Sequence, residues 1–136
     1  MKRTAVLVVA LLALFAVGSI ANAAKNNTKK FDSTVTVKYK AGGSTDPYAP
    51  STDPDFKGRV ESGKGFCFKN RKVKVKGKGG IGTVGSDLTN GSGRYHVDAP
   101  GFGSGDYKAK VVKKKKTKKN GGKIICKSAK ADITVE

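Results

Sequence analysis

The sequence predicts an all-β fold, a single antiparallel β-sandwich of about seven strands closed by one disulfide. Three observations carry that prediction. Short segments alternate apolar and polar residues with the period of two that sets one face of a strand against a core. Clusters of Gly, Pro, Asn, Asp and Ser separate these segments at short intervals, as turns do. With 18 glycines and no tryptophan, the chain has many turn residues and the material for a thin core, and no mature segment reads as a helix.

Lys2-Arg3, the apolar run from Ala5 to Val17 and the Ala21-Asn22-Ala23 site make residues 1–23 a secretory signal peptide, too short and wrongly flanked to be preferred as a membrane span. Residues 24–55 hold a first strand, Thr34 to Lys40, with Val35, Val37 and Tyr39 facing inward, followed by a surface loop. From Ala41 to Asp55 that loop carries three of the four prolines, which cannot sustain a ladder. Residues 56–136 form the sandwich domain. Phe56, Gly58 and Val60 alternate with Lys57, Arg59 and Glu61. Phe66-Cys67-Phe68 follows a turn at Ser62 to Gly65, and Val73 and Val75 alternate with Lys72, Lys74 and Lys76. Beyond the Gly-rich turn at Gly77 to Gly80, the stretch from Val84 to Val97 reads as a β-hairpin. Asn90-Gly91 supplies the positive φ angles of its turn and Gly93 absorbs a bulge. Tyr107, Ala109 and Val111, then Ile124 and Ile125, then Ile133 and Val135, supply the remaining inward faces.

Without residues 1–23 the chain keeps 113 of its 136 residues, enough for one domain with a single core. The leader holds two of the 28 Lys+Arg and none of the 10 Asp+Glu, so the mature chain carries +16. Such a charge concerns partners and solubility rather than fold. A secreted chain that keeps two cysteines is expected to join them, Cys67 with Cys126. Free thiols or a redox site are the alternative, which neither a Cys-x-x-Cys spacing nor a nearby His supports.

Several segments also carry a resemblance. Phe56-Lys-Gly-Arg-Val-Glu-Ser, Arg71-Lys-Val-Lys-Val, Val84-Gly-Ser-Asp-Leu-Thr-Asn-Gly-Ser-Gly-Arg-Tyr, Asp106-Tyr-Lys-Ala-Lys-Val and Cys126-Lys-Ser-Ala-Lys resemble the pattern of transthyretin-like, carboxypeptidase-regulatory-like β-sandwich domains, in particular those of small lysine-rich exported bacterial proteins. The resemblance covers residues 56–136. It implies an Ig-like or prealbumin-like sandwich with no fixed biochemical role.

Little in the sequence points to an enzyme. His96 is the only histidine and lies on the outward side of its strand, so it reads as a solvated residue, and no His-dependent triad or His-rich zinc site can be built from it. The transthyretin-fold hydrolase of purine breakdown relies on several His and Arg residues around a C-terminal Tyr-Arg-Gly-Ser-like motif, whereas this chain ends Ile133-Thr-Val-Glu136. No catalytic residue and no cofactor are expected. Asp46, Asp53, Asp55 and Glu61 gather in or beside the Pro-rich loop, but their spacing matches no calcium loop and suits ordinary turn aspartates. Tyr48, Phe66 and Phe68 are the candidates for an aromatic platform that would bind a glycan.

Charge placement is the strongest functional signal. Lys113, Lys114, Lys115, Lys116, Lys118 and Lys119 crowd a stretch closed by Asn120-Gly121-Gly122, which reads as a basic turn. Between Tyr107 and Ala131 there are eleven lysines, no arginine and no acid. Lysine favours diffuse point-charge attraction to phosphates or sulfates over bidentate readout. The expectation is a secreted, non-enzymatic module that binds an anionic polymer or surface, such as envelope phosphate polymers or acidic polysaccharide. No nucleic-acid motif accompanies the lysines, so no specific nucleic acid is expected. The alternative is that the lysines blunt strand edges and confer solubility, while a loop recognises a glycan or a protein.

Overall fold

The computed structural model describes residues 27–43 and 53–136. The predicted signal peptide, Asp46 and Tyr48 lie outside the described residues. Among the described residues, eleven strands and a single 3-10 turn, Gly65–Cys67, make up the regular structure. The strands are β1 (Thr28–Phe31), β2 (Thr34–Val35), β3 (Lys38–Lys40), β4 (Asp55–Glu61), β5 (Lys72–Gly77), β6 (Gly82–Leu88), β7 (Arg94–Asp98), β8 (Gly105–Val111), β9 (Lys114–Thr117), β10 (Lys123–Cys126) and β11 (Ala129–Val135). The expected all-β class holds, with more and shorter strands than seven. None of the described residues forms a helix long and apolar enough to cross a membrane.

Three sheets result. One runs β11-β8-β5-β6, antiparallel throughout. A second is built on β4, with β7 on one edge and β2 and β3 in line along the other. The third is β1-β10-β9, and here the expectation of purely antiparallel pairing fails: β1 runs parallel to β10.

The alternation read from the sequence decides which side chains meet. Val73, Val75, Tyr107, Ala109, Val111 and Val135 from the first sheet share one core with Val35, Phe56, Val60, Tyr95 and Val97 from the second. Phe56 sits between Tyr39 and Tyr107, with ring centroids 5.0 and 4.7 Å away. At about 25 cal/mol per Å² of buried apolar surface, aromatic rings of this size dominate what a thin core contributes. A smaller cluster surrounds the disulfide, where Cys67, Cys126 and Ile124 are buried against Phe31 and Phe66. The Cys67–Cys126 bond thus ties the 3-10 turn to the third sheet.

Two local readings are corrected. The predicted first strand is split at Thr36 and Val37 although its register against β4 is the same on both sides: the Arg59 N–H goes to Thr36 Oγ1 at 3.0 Å, and the Thr36 carbonyl lies over Gly58. A Cβ on Gly58 would stand 1.9 Å from that oxygen, so only glycine allows the close approach. The predicted hairpin from Val84 to Val97 is not a paired one: β6 pairs with β5 and β7 with β4, so the Asn90 turn carries the chain from one sheet to the other. Neither Asn90 nor Gly91 has a positive φ. Gly93 does, at 78°, and its N–H donates to the Asn90 carbonyl at 3.0 Å. A Cβ there would meet the Val60 carbonyl oxygen at 2.3 Å. Where a ladder bond between β6 and β7 would stand, the Asp87 carboxylate accepts the His96 backbone N–H at 2.8 Å.

Candidate anion-binding surface

The eleven lysines between Tyr107 and Ala131 all lie on one long hairpin. β8 continues into β9, and β10 continues into β11, with the ladder interrupted between Ala129↔Val111 and Cys126↔Lys114. The gap is filled by Arg71, which is fully buried. Its Nε and Nη2 donate to the Val112 carbonyl at 3.1 and 2.8 Å, and Nη2 also donates to the Lys127 carbonyl at 3.0 Å. Nη1 donates to Ser33 Oγ at 3.2 Å and to the Cys67 carbonyl. Burial lowers the guanidinium pKa from its ordinary value. No carboxylate among the described residues pairs with it, so five hydrogen bonds to neutral oxygens hold this cation inside. Nothing in the sequence separates Arg71 from the surrounding basic residues, and its role was missed there.

The basic turn is corrected next. Lys114–Thr117 is a strand, and only residues from Lys118 to Gly122 turn, closed by Lys118 N–H to the Gly122 carbonyl at 2.7 Å. Directly opposed residues share a face, so Lys114 and Lys116 fall on the side of Cys126 and Ile124. Both reach over Phe66, with the ammonium groups 4.2 and 5.5 Å from the ring centroid. Lys114 Nζ also donates to the Lys69 carbonyl at 2.9 Å and the Phe66 carbonyl at 3.4 Å. Burial, then the charges of Arg71 and Lys116, pull its pKa below the ordinary lysine value. Lys114 is therefore spent on holding the third sheet to the Phe66 segment. Lys113, Lys115, Lys118 and Lys119 are exposed. Of the eleven hairpin lysines only Lys127 makes an ion pair among the described residues, with Asp32 at 2.8 Å.

The larger cationic surface comes from register, which the sequence does not print. On the outer face of β11-β8-β5, Lys130, Lys110 and Lys74 stand directly opposite one another in a row across three strands. In the next row Lys108 opposes Lys76 on one side and Asp132 on the other. Asp132 is taken up by Lys78 at 2.9 Å, and that hydrogen bond holds its carboxyl below the usual range. Neighbouring strands lie about 4.8 Å apart, and like charges directly opposed are destabilising. A row of three lysines with no acid in it is a surface that gains from an external anion.

His96 is exposed, as its strand position implied, but it is not alone. Its Nε2 lies 3.0 Å from Asp55 Oδ2 and 3.6 Å from Asp98 Oδ1. The pairing of β4 with β7 brings Asp55 to His96 from 41 residues away, which no reading of spacing reveals. Among the described residues no group of three or more His, Cys, Asp or Glu could hold a metal ion. Glu61 of the predicted acidic group faces Arg59 at 3.7 Å instead. Of the aromatic candidates, Phe66 is covered by Lys114 and Lys116, and Phe68 packs against the main core. No family model, curated protein or solved structure gives a significant match to the chain.

Proposed function

We propose that the protein is a secreted, non-enzymatic module that binds anionic extracellular or cell-surface polymers through its lysine-rich faces. The observation that carries this reading is the unbroken Lys130, Lys110, Lys74 row, flanked by Lys108 and Lys76. Exposed lysines 113, 115, 118 and 119 extend the same charge along the hairpin. A flat array of ammonium groups at strand spacing suits a chain of phosphates or sulfates read by charge and not by sequence. The two sheets that share a core suit a β-sandwich of prealbumin or Ig-like type, consistent with the transthyretin-like resemblance. The disulfide suits an oxidising compartment, and the N-terminal leader supports export.

The test is retention on a polyphosphate column and on a neutral glycan column across a salt series, for the parent and for Lys74→Gln/Lys110→Gln/Lys130→Gln. Each lost phosphate contact removes about 0.7 from the slope of log affinity against log salt for a flexible strand, so the triple variant should flatten it by roughly two. An unchanged slope sinks the proposal. One observation favours a second reading: β9, three lysines and a threonine, has no strand on its outer edge among the described residues, where lysine blunts unwanted pairing. In that case Lys115→Val/Thr117→Val would self-associate while polymer binding stayed weak in every variant.

A further inference from the structure

A groove of about 640 Å³ opens on the other sheet, outside β3, β4 and β7 and walled by the end of β6. Its cations are Lys38, Lys57, Arg59 and Arg94. The sequence has four arginines. Arg3 belongs to the leader and Arg71 is buried, so Arg59 and Arg94 are the two exposed arginines of the mature chain. The register makes them direct partners across β4 and β7, and the next position along sets Lys38, Lys57 and His96 in one row. A protein that uses lysine nearly everywhere else thus places both its exposed guanidinium forks side by side in one concavity.

Three of the four carboxylate oxygens on the groove's two acids are already engaged. Asp87 accepts the backbone N–H groups of Leu88 at 2.7 Å and His96 at 2.8 Å, one on each oxygen. Asp55 gives Oδ2 to His96, and its buried Oδ1 has no hydrogen-bond partner, with Lys57 Nζ 4.0 Å away. Arg59 has Nε on the Ser92 carbonyl at 3.1 Å and Nη1 3.7 Å from the exposed Glu61. The Arg94 side chain makes no hydrogen bond or ion pair among the described residues. An uncompensated positive charge of directed geometry remains, and it faces the hollow.

We propose that this groove binds a single phosphate or sulfate ester, gripped between Arg59 and Arg94 with Lys57 and Lys38 beside it. One guanidinium fork can satisfy both oxygens of a carboxylate, whereas a tetrahedral ester keeps further oxygens for a second fork and for ammonium groups. The site differs in kind from the lysine face: it recognises one group by directed hydrogen bonds rather than many by charge density. It does not depend on the lysine reading, because the two sites lie on different sheets. Phosphate and sulfate share this chemistry, and the probes below separate them.

Glucose 6-phosphate, glucose 6-sulfate and glucuronate carry three anionic groups on similar sugars. Each is titrated into the full-length mature protein at constant ionic strength, with amide and Arg side-chain NMR signals as the readout. The phosphate or the sulfate sugar should bind and shift the Arg59 and Arg94 signals, and the tighter of the two identifies the ester. Glucuronate should bind at least tenfold more weakly. Arg94→Gln, an exposed change that leaves the core intact, should weaken the ester probe about tenfold, and Arg59→Lys should weaken it without unfolding the chain. Lys74→Gln/Lys110→Gln/Lys130→Gln should leave it within twofold. Glucuronate binding as tight as the esters, an unaffected Arg94→Gln, an equal loss in the lysine variant, or no binding of any probe would each overturn the assignment.

Discussion

The phenol of Tyr95 donates to the backbone carbonyl of Thr36 at 2.6 Å, above a glycine that leaves the two room to meet. This contact satisfies a carbonyl at the break between β2 and β3, where the Arg59 N–H goes to the Thr36 hydroxyl instead. Burial pushes the Tyr95 phenol well above the ordinary tyrosine value of 10.0.

A sign follows for alkaline stability. The unfolded chain ionises this tyrosine near the ordinary value while the folded chain keeps it protonated, so its contribution is complete below pH 10 and is lost as pH rises further. Tyr95→Phe should cost about 2 kcal/mol at pH 8, where it leaves the Thr36 carbonyl unpaired. The gap between parent and variant should shrink between pH 10 and 12 in urea titrations. A gap that stays constant would show that the phenol titrates normally.

Gly58→Ala is a sharper test of the same close approach. The added methyl would stand 1.9 Å from the Thr36 oxygen and 2.8 Å from Tyr95 Oη, so the strand must shift. A loss of about 3 kcal/mol is expected, read from the urea midpoint. Wild-type stability would mean that the Thr36 carbonyl does not lie over Gly58.

Arg71→Met keeps much of the volume and removes every donor. The carbonyls of Val112, Lys127 and Cys67 then lose their partner in the break of the long hairpin. Expected destabilisation is about 3 kcal/mol, with amide exchange rising at the ends of β8 and β11 before it rises in β5. Exchange that rises uniformly would argue against a local plug.

The lysines should separate by role. Lys114→Gln forfeits its hydrogen bond to the Lys69 carbonyl and its place over Phe66, and should cost about 1 kcal/mol. Lys115→Gln, Lys118→Gln and Lys119→Gln should stay within about 0.5 kcal/mol of the parent. Thermal melts of the four single variants decide it, and equal effects would mean that Lys114 is as solvated as its neighbours.

Cys67→Ser/Cys126→Ser opens a crosslink between residues 59 apart and should cost about 4 kcal/mol on the chain-entropy model. The loss should be uneven. β1, β9 and β10 depend on the disulfide cluster, whereas β11-β8-β5-β6 has its own core. Amide exchange that stays slow in β10 would contradict that division.

What could be read from the sequence was whatever an apolar period of two encodes. Strands β4, β5, β8 and β11 announce themselves because Val, Phe, Tyr and Ala alternate with charges along each. Strands β1 and β9, Thr-Lys-Lys-Phe and Lys-Lys-Lys-Thr, have no such period, since β10 between them supplies most of the apolar side chains. Asn90-Gly91 was recognised as a turn but misread as a hairpin, because turn residues do not say which strand each arm will join. The lysine row and the Arg59–Arg94 pair are products of register, and register is fixed by the core that residues far apart in sequence build together. The Lys113 to Lys119 run drew attention by adjacency, yet one of its members is structural.

The parallel pairing of β1 with β10 has a consequence for how the chain reaches its final form. Thr28–Phe31 is the first described strand, and its ladder partner among the described residues, Lys123–Cys126, is the last strand but one. A chain delivered from its N-terminus must hold that strand unsatisfied until Lys123–Cys126 has emerged. Its threonine and two lysines face water in the meantime, which makes waiting cheap and premature sticking rare. Completion is therefore a late, all-chain event, of the slow kind that distant contacts impose, and a thread that stays open until its tail arrives can still be passed through a narrow passage.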